Sequence, residues 1–278
     1  MARYAFLDVS FDGPLAHVRL NRPGKRNALN DDLIAELQAC FSALPAAIGA
    51  VVLSGNGDHF CAGLDLSSLA EHDVAGGIAH SRSWHAAFDA IQLGRVPVVA
   101  VLHGAVIGGG LELASAAHIR VAEASAFYAL PEGSRGLFVG GGGSARIPRL
   151  IGFSRMSDMM LTGRVLDADE GQHAGLSHYR VADGAGLERA RELATRIAGN
   201  APLSNFAVLQ ALPRIASMSQ GDGQFFESLM AAVAQSAPDA KRRMNEFLAG
   251  RAAKVGRSDE PGTSRKVGKS GKVGKDRE

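Results

Sequence analysis

The chain has 278 residues, of which 46% are hydrophobic and 21% are charged. This length and composition can bury a large core, which excludes a wholly disordered protein. The sequence contains no run of about 18–20 apolar residues, and we therefore expect no membrane-spanning helix. With only two cysteines and no secretory signal pattern at its N-terminus, the protein is predicted to be cytoplasmic.

Positive charge is concentrated near the C-terminus. Residues 254–278 contain eight Lys or Arg and four Asp or Glu, so this segment carries +4 although the whole chain carries +2. The remainder is mildly acidic, which is not typical of a protein that binds a polyanion. The Lys- and Gly-rich repeats at 266–275 have no apolar face and predict a disordered tail. Because no aromatic residues alternate with these lysines, we expect no nucleic-acid partner.

Short apolar runs alternate with helical patterns up to about residue 150. Apolar side chains between 33 and 44 recur on one helical face, and Asn30 is placed to cap the N-terminus of that helix. The runs that indicate strands are 15–20, 50–54, 96–102 and 119–122. Strands that alternate with helices predict a largely parallel sheet and hence an α/β fold.

Helical patterns dominate from about residue 151 onward. Asp167 and Glu170 have the spacing of a capping box, an apolar stripe covers 187–197, and 236–253 is predicted to form the last helix. The sequence thus predicts three parts: an α/β core over 1–200, a helical region over 201–253 and a disordered basic tail over 254–278.

A glycine-rich turn between a strand and a helix carries the most chemical information. Gly108, Gly109 and Gly110 follow the predicted strand that ends near Leu102, and a helical pattern then begins. Glycine lets the backbone approach a ligand closely, and a helix N-terminus offers unpaired N–H groups. This combination can bind an anion, or an oxygen that becomes anionic during a reaction. Taken alone, the segment is equally consistent with an ordinary tight turn.

Two carboxylates are placed to act near this turn. Glu112 lies in the first turn of the predicted helix, where the helix dipole should favour its ionised form and suit it to act as a general base. Glu132 lies 20 residues later, an interval that allows the chain to finish the helix, form a strand and return to the same end of the sheet. Like charges that converge raise one pKa, which would leave one carboxylate as base and the other as acid.

Taken together, the motifs of this chain resemble those of the crotonase, or enoyl-CoA hydratase, family. They occur in the expected order over about residues 5–253. The matching segments are NRPGKRNAL at 21–29, FCAGLD at 60–65, GGGLELA at 108–114, PE at 131–132, GGSAR at 142–146, MLTG at 160–163 and AGL at 174–176. The resemblance implies an α/β fold with a crotonase-like ββα spiral core and a helical C-terminal part that mediates trimerisation.

The resemblance also implies roles for individual residues. In this family two backbone N–H groups form an oxyanion hole for the thioester oxygen of an acyl-CoA, and the matching positions are Leu64 and Gly109. Glu112 corresponds to the carboxylate that positions and deprotonates water for attack at Cβ, and Glu132 corresponds to the acid that protonates Cα. Because members that only isomerise or cleave often lack one of these glutamates, the pair favours hydration.

The expected ligand and assembly follow from the same resemblance. The positions that match CoA-binding residues are Lys25, Arg26, Ala28, Ala62 and Asp65, although each basic residue could instead be an ordinary surface charge. CoA is carried by the substrate, so the resemblance implies no separate cofactor and no metal. It implies a homotrimer or a dimer of trimers.

Some positions depart from the family pattern and put the identity of the substrate in doubt. Val139 occupies a position where hydratases usually have proline, His118 one where aspartate is common, and Leu130 replaces a polar residue. Aromatic side chains are candidates for the acyl pocket, although helical aromatic pairs more often belong to the core. These candidates are Trp84, Phe88 and Phe138.

Other functions remain open from the sequence. An isomerase or a C–C lyase or hydrolase would use the same enolate chemistry, and a non-catalytic binding protein could use the basic tail. The run 140–145 fits the dinucleotide-binding pattern GxGxxA, but the apolar run before it is too short for a convincing strand. The histidines show no spacing typical of metal ligands, so a metal site is not indicated.

Overall fold

The computed structural model describes residues 4–68, 71 and 73–251. The predicted tail at 254–278 lies outside the described residues. The described residues divide into two compact units, one that ends at Gln235 and one that begins at Ser236. Among the described residues, no helix is both long and apolar enough to cross a membrane.

Within the described residues of the first unit, eight strands form two sheets. In chain order the strands are β1 Leu7–Asp12, β2 Leu15–Leu20, β3 Ala50–Gly55, β4 Val98–Leu102, β5 Ala105–Ile107, β6 Ile119–Glu123, β7 Phe127–Ala129 and β8 Tyr179–Val181. The large sheet has the order β1-β2-β3-β4-β6-β8, and the small sheet pairs β5 with β7. Only the β1–β2 hairpin is antiparallel in these two sheets. The predicted, largely parallel sheet is therefore confirmed.

Helices cover the sheet and form most of the described chain after residue 142. In chain order they are α1 Asp31–Ser42, α2 Val74–Gln92, α3 Gly109–Ala116, α4 Gly143–Ile151, α5 Phe153–Thr162, α6 Ala168–Ala174, α7 Gly186–Ala198, α8 Pro202–Phe206, α9 Leu212–Ile215, α10 Gln220–Ser236 and α11 Pro238–Leu248. A π-helical turn, Ala207–Ala211, joins α8 to α9. Single 3₁₀ turns occur at Pro23–Lys25, Leu66–Ser68 and Glu132–Arg135.

The predicted helix caps are present. The Asn30 side chain accepts a 3.2 Å hydrogen bond from the Leu33 N–H and so satisfies a donor that the first turn of α1 leaves unpaired. Asp167 and Glu170 form a complete capping box at the start of α6. These local signals fix where both helices begin.

Both faces of the central strands are buried, which explains why they appear as continuous apolar runs. Along β3, Val51 and Leu53 belong to the larger core together with α1, α2 and α3, whereas Ala50 and Val52 belong to a smaller core beneath α7. Alternate residues of a strand point to opposite faces of the sheet. A sheet with helices on both faces needs apolar side chains at every position of its central strands.

Three turns come together beyond the carboxyl ends of β3 and β4. A single parallel bridge joins Cys61 to Val106 of β5, and another joins Leu29 to Leu64. The Gly108 N–H donates a 2.9 Å hydrogen bond to the Ala129 carbonyl at the end of β7. These pairings place the loop after β3, the start of α3 and the turn after β7 side by side.

Candidate active site

A cavity of about 320 Å³ lies where these three turns meet. Its walls also include one side of α2 and the loop before α4. Its lining residues include Ala62, Gly63, Leu64, His80, Ser81, Trp84, Ile107, Gly108, Gly109, Glu112, Pro131, Glu132, Arg135, Phe138, Gly140 and Gly141. The structure therefore brings Leu64, Gly109, Glu112 and Glu132, which are far apart in sequence, to one cavity.

Leu64 and Gly109 contribute two backbone N–H groups without acceptors among the described residues. The Leu29 N–H donates to the Gly63 carbonyl at 2.7 Å and the Asp65 N–H donates to the Leu29 carbonyl at 2.8 Å, so this short pairing uses the groups on either side of the Leu64 amide. Gly109 is the first residue of α3, where an N–H has no acceptor within the helix. Two donors are thus available in the cavity wall.

The turns that carry these two amides touch each other at Gly63. This residue has a φ of +91°, and a Cβ atom there would lie 3.3 Å from the Gly109 nitrogen and 2.7 Å from the Ile107 oxygen. Only glycine fits both the left-handed conformation and this close approach. The sequence Ala62-Gly63-Leu64 therefore brings the two amides together.

The carboxylate of Glu112 is buried and hydrogen-bonded. Its side chain lies in the first turn of α3, and its Oε1 accepts 2.8 Å hydrogen bonds from the Gly141 and Gly143 N–H groups. Burial raises the pKa of Glu112, and the Glu132 carboxylate adds to that effect, whereas the two N–H groups and the Arg146 guanidinium oppose it. Burial thus opposes the helix dipole, from which the sequence predicted only stabilisation of the ionised form, and the net effect is a raised pKa.

Glu132 faces the same cavity from the 3₁₀ turn after β7. It is 9% exposed, and its Oε2 is buried without a hydrogen-bond partner among the described residues. Burial raises the pKa of Glu132, while its own backbone N–H and the Arg135 guanidinium act in the opposite direction. A buried carboxyl oxygen without a partner favours the neutral form, which can donate a proton.

The residues predicted to bind CoA lie in and beside the loop after β3. Ala62 lines the cavity, whereas Lys25, Arg26, Ala28 and Asp65 do not. Lys25 and Arg26 are exposed, and Ala28 is buried. The structure thus places one of the five at the cavity and the others on the adjoining segment.

Asp65 already has partners within the chain. Its carboxylate pairs with the Arg22 guanidinium at 2.9 Å and accepts a 2.6 Å hydrogen bond from the Ser67 hydroxyl. The Ser67 hydroxyl and then the Arg22 guanidinium lower the pKa of Asp65 against the effect of its burial. The Arg22 guanidinium also donates to the Ala28 carbonyl. Sequence reasoning missed Arg22, which ties the 22–28 segment to the loop that carries the Leu64 amide.

The aromatic candidates separate into two groups. Trp84 and Phe138 line the cavity, and the Trp84 ring packs against Gly109. Phe88 does not line it; its side chain is fully buried in the core. The three departures from the family pattern, Val139, His118 and Leu130, also lie outside the cavity wall. Val139 and Leu130 are next in sequence to the lining residues Phe138, Gly140 and Pro131.

The glycine-rich run at 140–143 has a role that sequence reasoning missed. Its Gly141 and Gly143 N–H groups hold the Glu112 carboxylate, and the Gly140 carbonyl accepts a 2.5 Å hydrogen bond from the Ser81 hydroxyl of α2. The run precedes α4 without a strand directly before it among the described residues. It therefore binds a carboxylate of the protein itself rather than the phosphates of a dinucleotide.

Among the described residues no group of three or more His, Cys, Asp or Glu is arranged to bind a metal ion.

Solved structures with the same fold include two bacterial proteins. A crystal structure from Rhodopseudomonas palustris is 59% identical, has a TM-score of 0.87, and is matched over 90% of this chain and 98% of that chain. The crystal structure of an enoyl-CoA hydratase from Bacillus anthracis is 28% identical, has a TM-score of 0.83, and is matched over 88% of this chain and 97% of that chain. The chain therefore has the crotonase fold, as expected from its motifs.

Sequence comparisons agree with the structural ones. A short-chain-enoyl-CoA hydratase from Clostridium acetobutylicum is 31% identical over 86% of this chain and 93% of its own length. A 2,3-dehydroadipyl-CoA hydratase from Escherichia coli is 33% identical over 84% of this chain and 91% of its own length. The family model for enoyl-CoA hydratase/isomerase matches residues 11–256. The chain belongs to the enoyl-CoA hydratase/isomerase family.

Proposed function

We propose that this protein is an enoyl-CoA hydratase, a hydro-lyase that adds water across the 2,3-double bond of an enoyl-CoA thioester. One observation carries the proposal: two unpaired backbone N–H groups and two buried carboxylates line the same cavity. The relatives named as hydratases, which match nearly the whole chain, support it.

The two amides are suited to stabilise developing charge on the substrate. The thioester oxygen would accept hydrogen bonds from the Leu64 and Gly109 N–H groups. When a nucleophile adds to Cβ, electrons move through the conjugated system to this oxygen, which becomes enolate-like. Fixed donors in a site that excludes water stabilise such charge without reorganisation, an effect worth about 10²–10³-fold in rate for each donor.

The two carboxylates divide the proton transfers. Glu112, which two N–H groups hold in place, takes a proton from water as the water oxygen bonds to Cβ. Glu132, whose raised pKa favours the protonated form, delivers its proton to Cα as the enolate collapses to the thioester. The product gains one water in total. Glu112 is then protonated and Glu132 ionised, and proton exchange with solvent restores the starting state.

The other expectations extend this proposal beyond the cavity. Ala62, together with Lys25, Arg26, Ala28 and Asp65, would contact the CoA portion of the substrate. The region 201–253 would form the contacts of a trimer or a dimer of trimers in the cytoplasm. Exposed apolar side chains in the first unit support such contacts; they are Phe206, Val208, Leu212, Phe225, Leu229 and Val233.

A substrate panel tests the proposed reaction. Purified full-length protein is mixed with linear, branched and aromatic 2-enoyl-CoA esters, and the loss of the conjugated thioester absorbance is followed. Mass spectrometry of the product should show the gain of one water. A product of unchanged mass with a moved double bond would indicate an isomerase instead. The absence of turnover on every ester would contradict the proposed function.

A further inference from the structure

The guanidinium of Arg146 lies behind the loop that holds Glu112. Arg146 is 8% exposed and projects from α4. Its Nη1 donates a 2.8 Å hydrogen bond to the Gly141 carbonyl. Its other donors contact α2: Nε bonds to Gln92 Oε1 at 2.6 Å, and Nη2 bonds to Asp89 Oδ1 at 2.7 Å. Arg146 does not line the main cavity, so it has no direct contact with a substrate there.

The loop at 141–143 connects the Arg146 guanidinium to the Glu112 carboxylate through hydrogen bonds. The Gly141 carbonyl accepts a hydrogen bond from Arg146, and the Gly141 N–H donates one to Glu112 Oε1. The Gly143 N–H donates to the same Glu112 oxygen. Arg146 also clamps the loop to α2, which forms part of the cavity wall. A shift of the guanidinium would therefore move both N–H groups that orient Glu112.

The charge of Arg146 acts on Glu112 as well. The charged groups that face Glu112 are the Glu132 carboxylate from the 3₁₀ turn and the Arg146 guanidinium from α4, which is itself paired with Asp89 of α2. α3 carries no other titratable side chain. Arg146 is thus the positive charge that opposes burial and Glu132 at this carboxylate.

We propose that Arg146 is a positioning residue for Glu112, which holds the Gly141–Gly143 loop in place and keeps the carboxylate available as a base. The proposal rests on the proposed hydratase function for its kinetic consequence. Its structural part, the effect on the Glu112 carboxylate, does not require turnover. Misplacement of a catalytic group by about 1 Å can cost about 10²-fold in rate, so loss of this support should lower activity measurably.

Kinetics of two substitutions test the kinetic consequence. Arg146→Gln removes the charge and the fork of donors, and should lower kcat by about 10–100-fold and move the acid limb of kcat/KM to higher pH. Arg146→Lys keeps the charge but bonds to fewer partners, so its kcat should fall between those of the wild type and Arg146→Gln. Arg164→Gln is the control, since Arg164 also pairs with two carboxylates but lies outside the cavity wall. If Arg146→Gln does not fold, Arg146→Lys decides the test. A wild-type kcat in Arg146→Lys would then overturn the proposal.

A double substitution separates positioning from a merely structural role. In the Glu112→Gln background, Arg146→Gln should cost little further rate, because the group through which it acts is already absent. An equal loss in both backgrounds would contradict the proposal.

Infrared spectra of the ligand-free protein, recorded over a range of pH, give the pKa of Glu112 without turnover. The Glu112 carboxyl band is the one that disappears in Glu112→Gln. The pKa of Glu112 should be higher in Arg146→Gln than in the wild type. An unchanged pKa overturns the positioning role even if no enoyl-CoA ester is hydrated.

Discussion

Glu112 Oε1 and the Gly143 nitrogen lie 2.8 Å apart, although 31 residues separate them in the chain. Gly143 is the first residue of α4, and Glu112 lies in the first turn of α3. Two helices thus begin at the same carboxylate, one of them carrying it and the other donating an N–H group to it. The dipole of α4 adds to the effect of this hydrogen bond and favours the ionised form.

Gly143→Ala tests how closely Glu112 must be positioned. A Cβ atom at this residue would lie 2.7 Å from Glu112 Cγ and 2.9 Å from Oε1, so the carboxylate must move. We expect kcat to fall by about 10–100-fold, since small displacements of a catalytic group cost this much. Gly221→Ala is the matched control, because a Cβ atom there meets nothing within 4 Å. Unchanged turnover in Gly143→Ala would show that Glu112 needs no exact placement.

Glu112→Gln and Glu132→Gln test the two proton-transfer roles. Glutamine keeps the size of the side chain and an acceptor oxygen but can act neither as a general acid nor as a general base at neutral pH. We expect each substitution to lower kcat by about 10²–10⁴-fold, with circular dichroism spectra like that of the wild type. The measurement is the rate of hydration of the best ester in the panel. Near-wild-type rates in both variants would refute the assigned roles.

The fold was predictable where its signal is local. The strands at 50–54 and 96–102 are apolar at nearly every position, and Asn30 and Asp167 are side chains that cap helices in many contexts. The strands β5, β7 and β8 have three residues each, and sequence analysis missed them. Such short strands are defined by their partners in the folded chain rather than by their own residues.

The residues of the candidate site were predictable from the sequence, but their hydrogen-bond partners were not. A resemblance to family motifs identified Leu64, Gly109, Glu112 and Glu132, and the structure places all four at one cavity. The partners of these groups were not predictable, because they depend on contacts over long stretches of chain. The Arg22–Asp65 pair spans 43 residues. The dinucleotide-binding pattern at 140–145 did not indicate that the N–H groups of this run bind the Glu112 carboxylate.

The burial of Glu112 predicts a stability effect that depends on pH. The folded-state pKa is raised, so the unfolded chain ionises first as pH increases, and the native state loses stability from the unfolded pKa up to the folded pKa. The glutamine side chain introduced by Glu112→Gln does not ionise. We therefore expect this substitution to change Tm more favourably at pH 8 than at pH 4, because only the glutamate loses stability as it ionises.

Thermal unfolding at both pH values measures this effect. Glu227→Gln, at an exposed position, reports what the loss of a surface carboxylate does in the same experiment. A Tm gain for Glu112→Gln that is larger at pH 4 than at pH 8 would contradict a raised pKa at this residue.

Deletion of residues 254–278 distinguishes an enzyme from a protein that works through its basic tail. The cavity is lined by residues between 62 and 141, so kcat and KM for the best ester should be unchanged by the deletion. Replacing Lys266, Lys269, Lys272 and Lys275 by Gln removes charge without changing chain length, and should give the same result. If the deletion abolishes turnover but the glutamines do not, the tail has a structural role in the active enzyme. If both abolish it, the lysine charges contribute to turnover, and the cavity described above does not suffice for it.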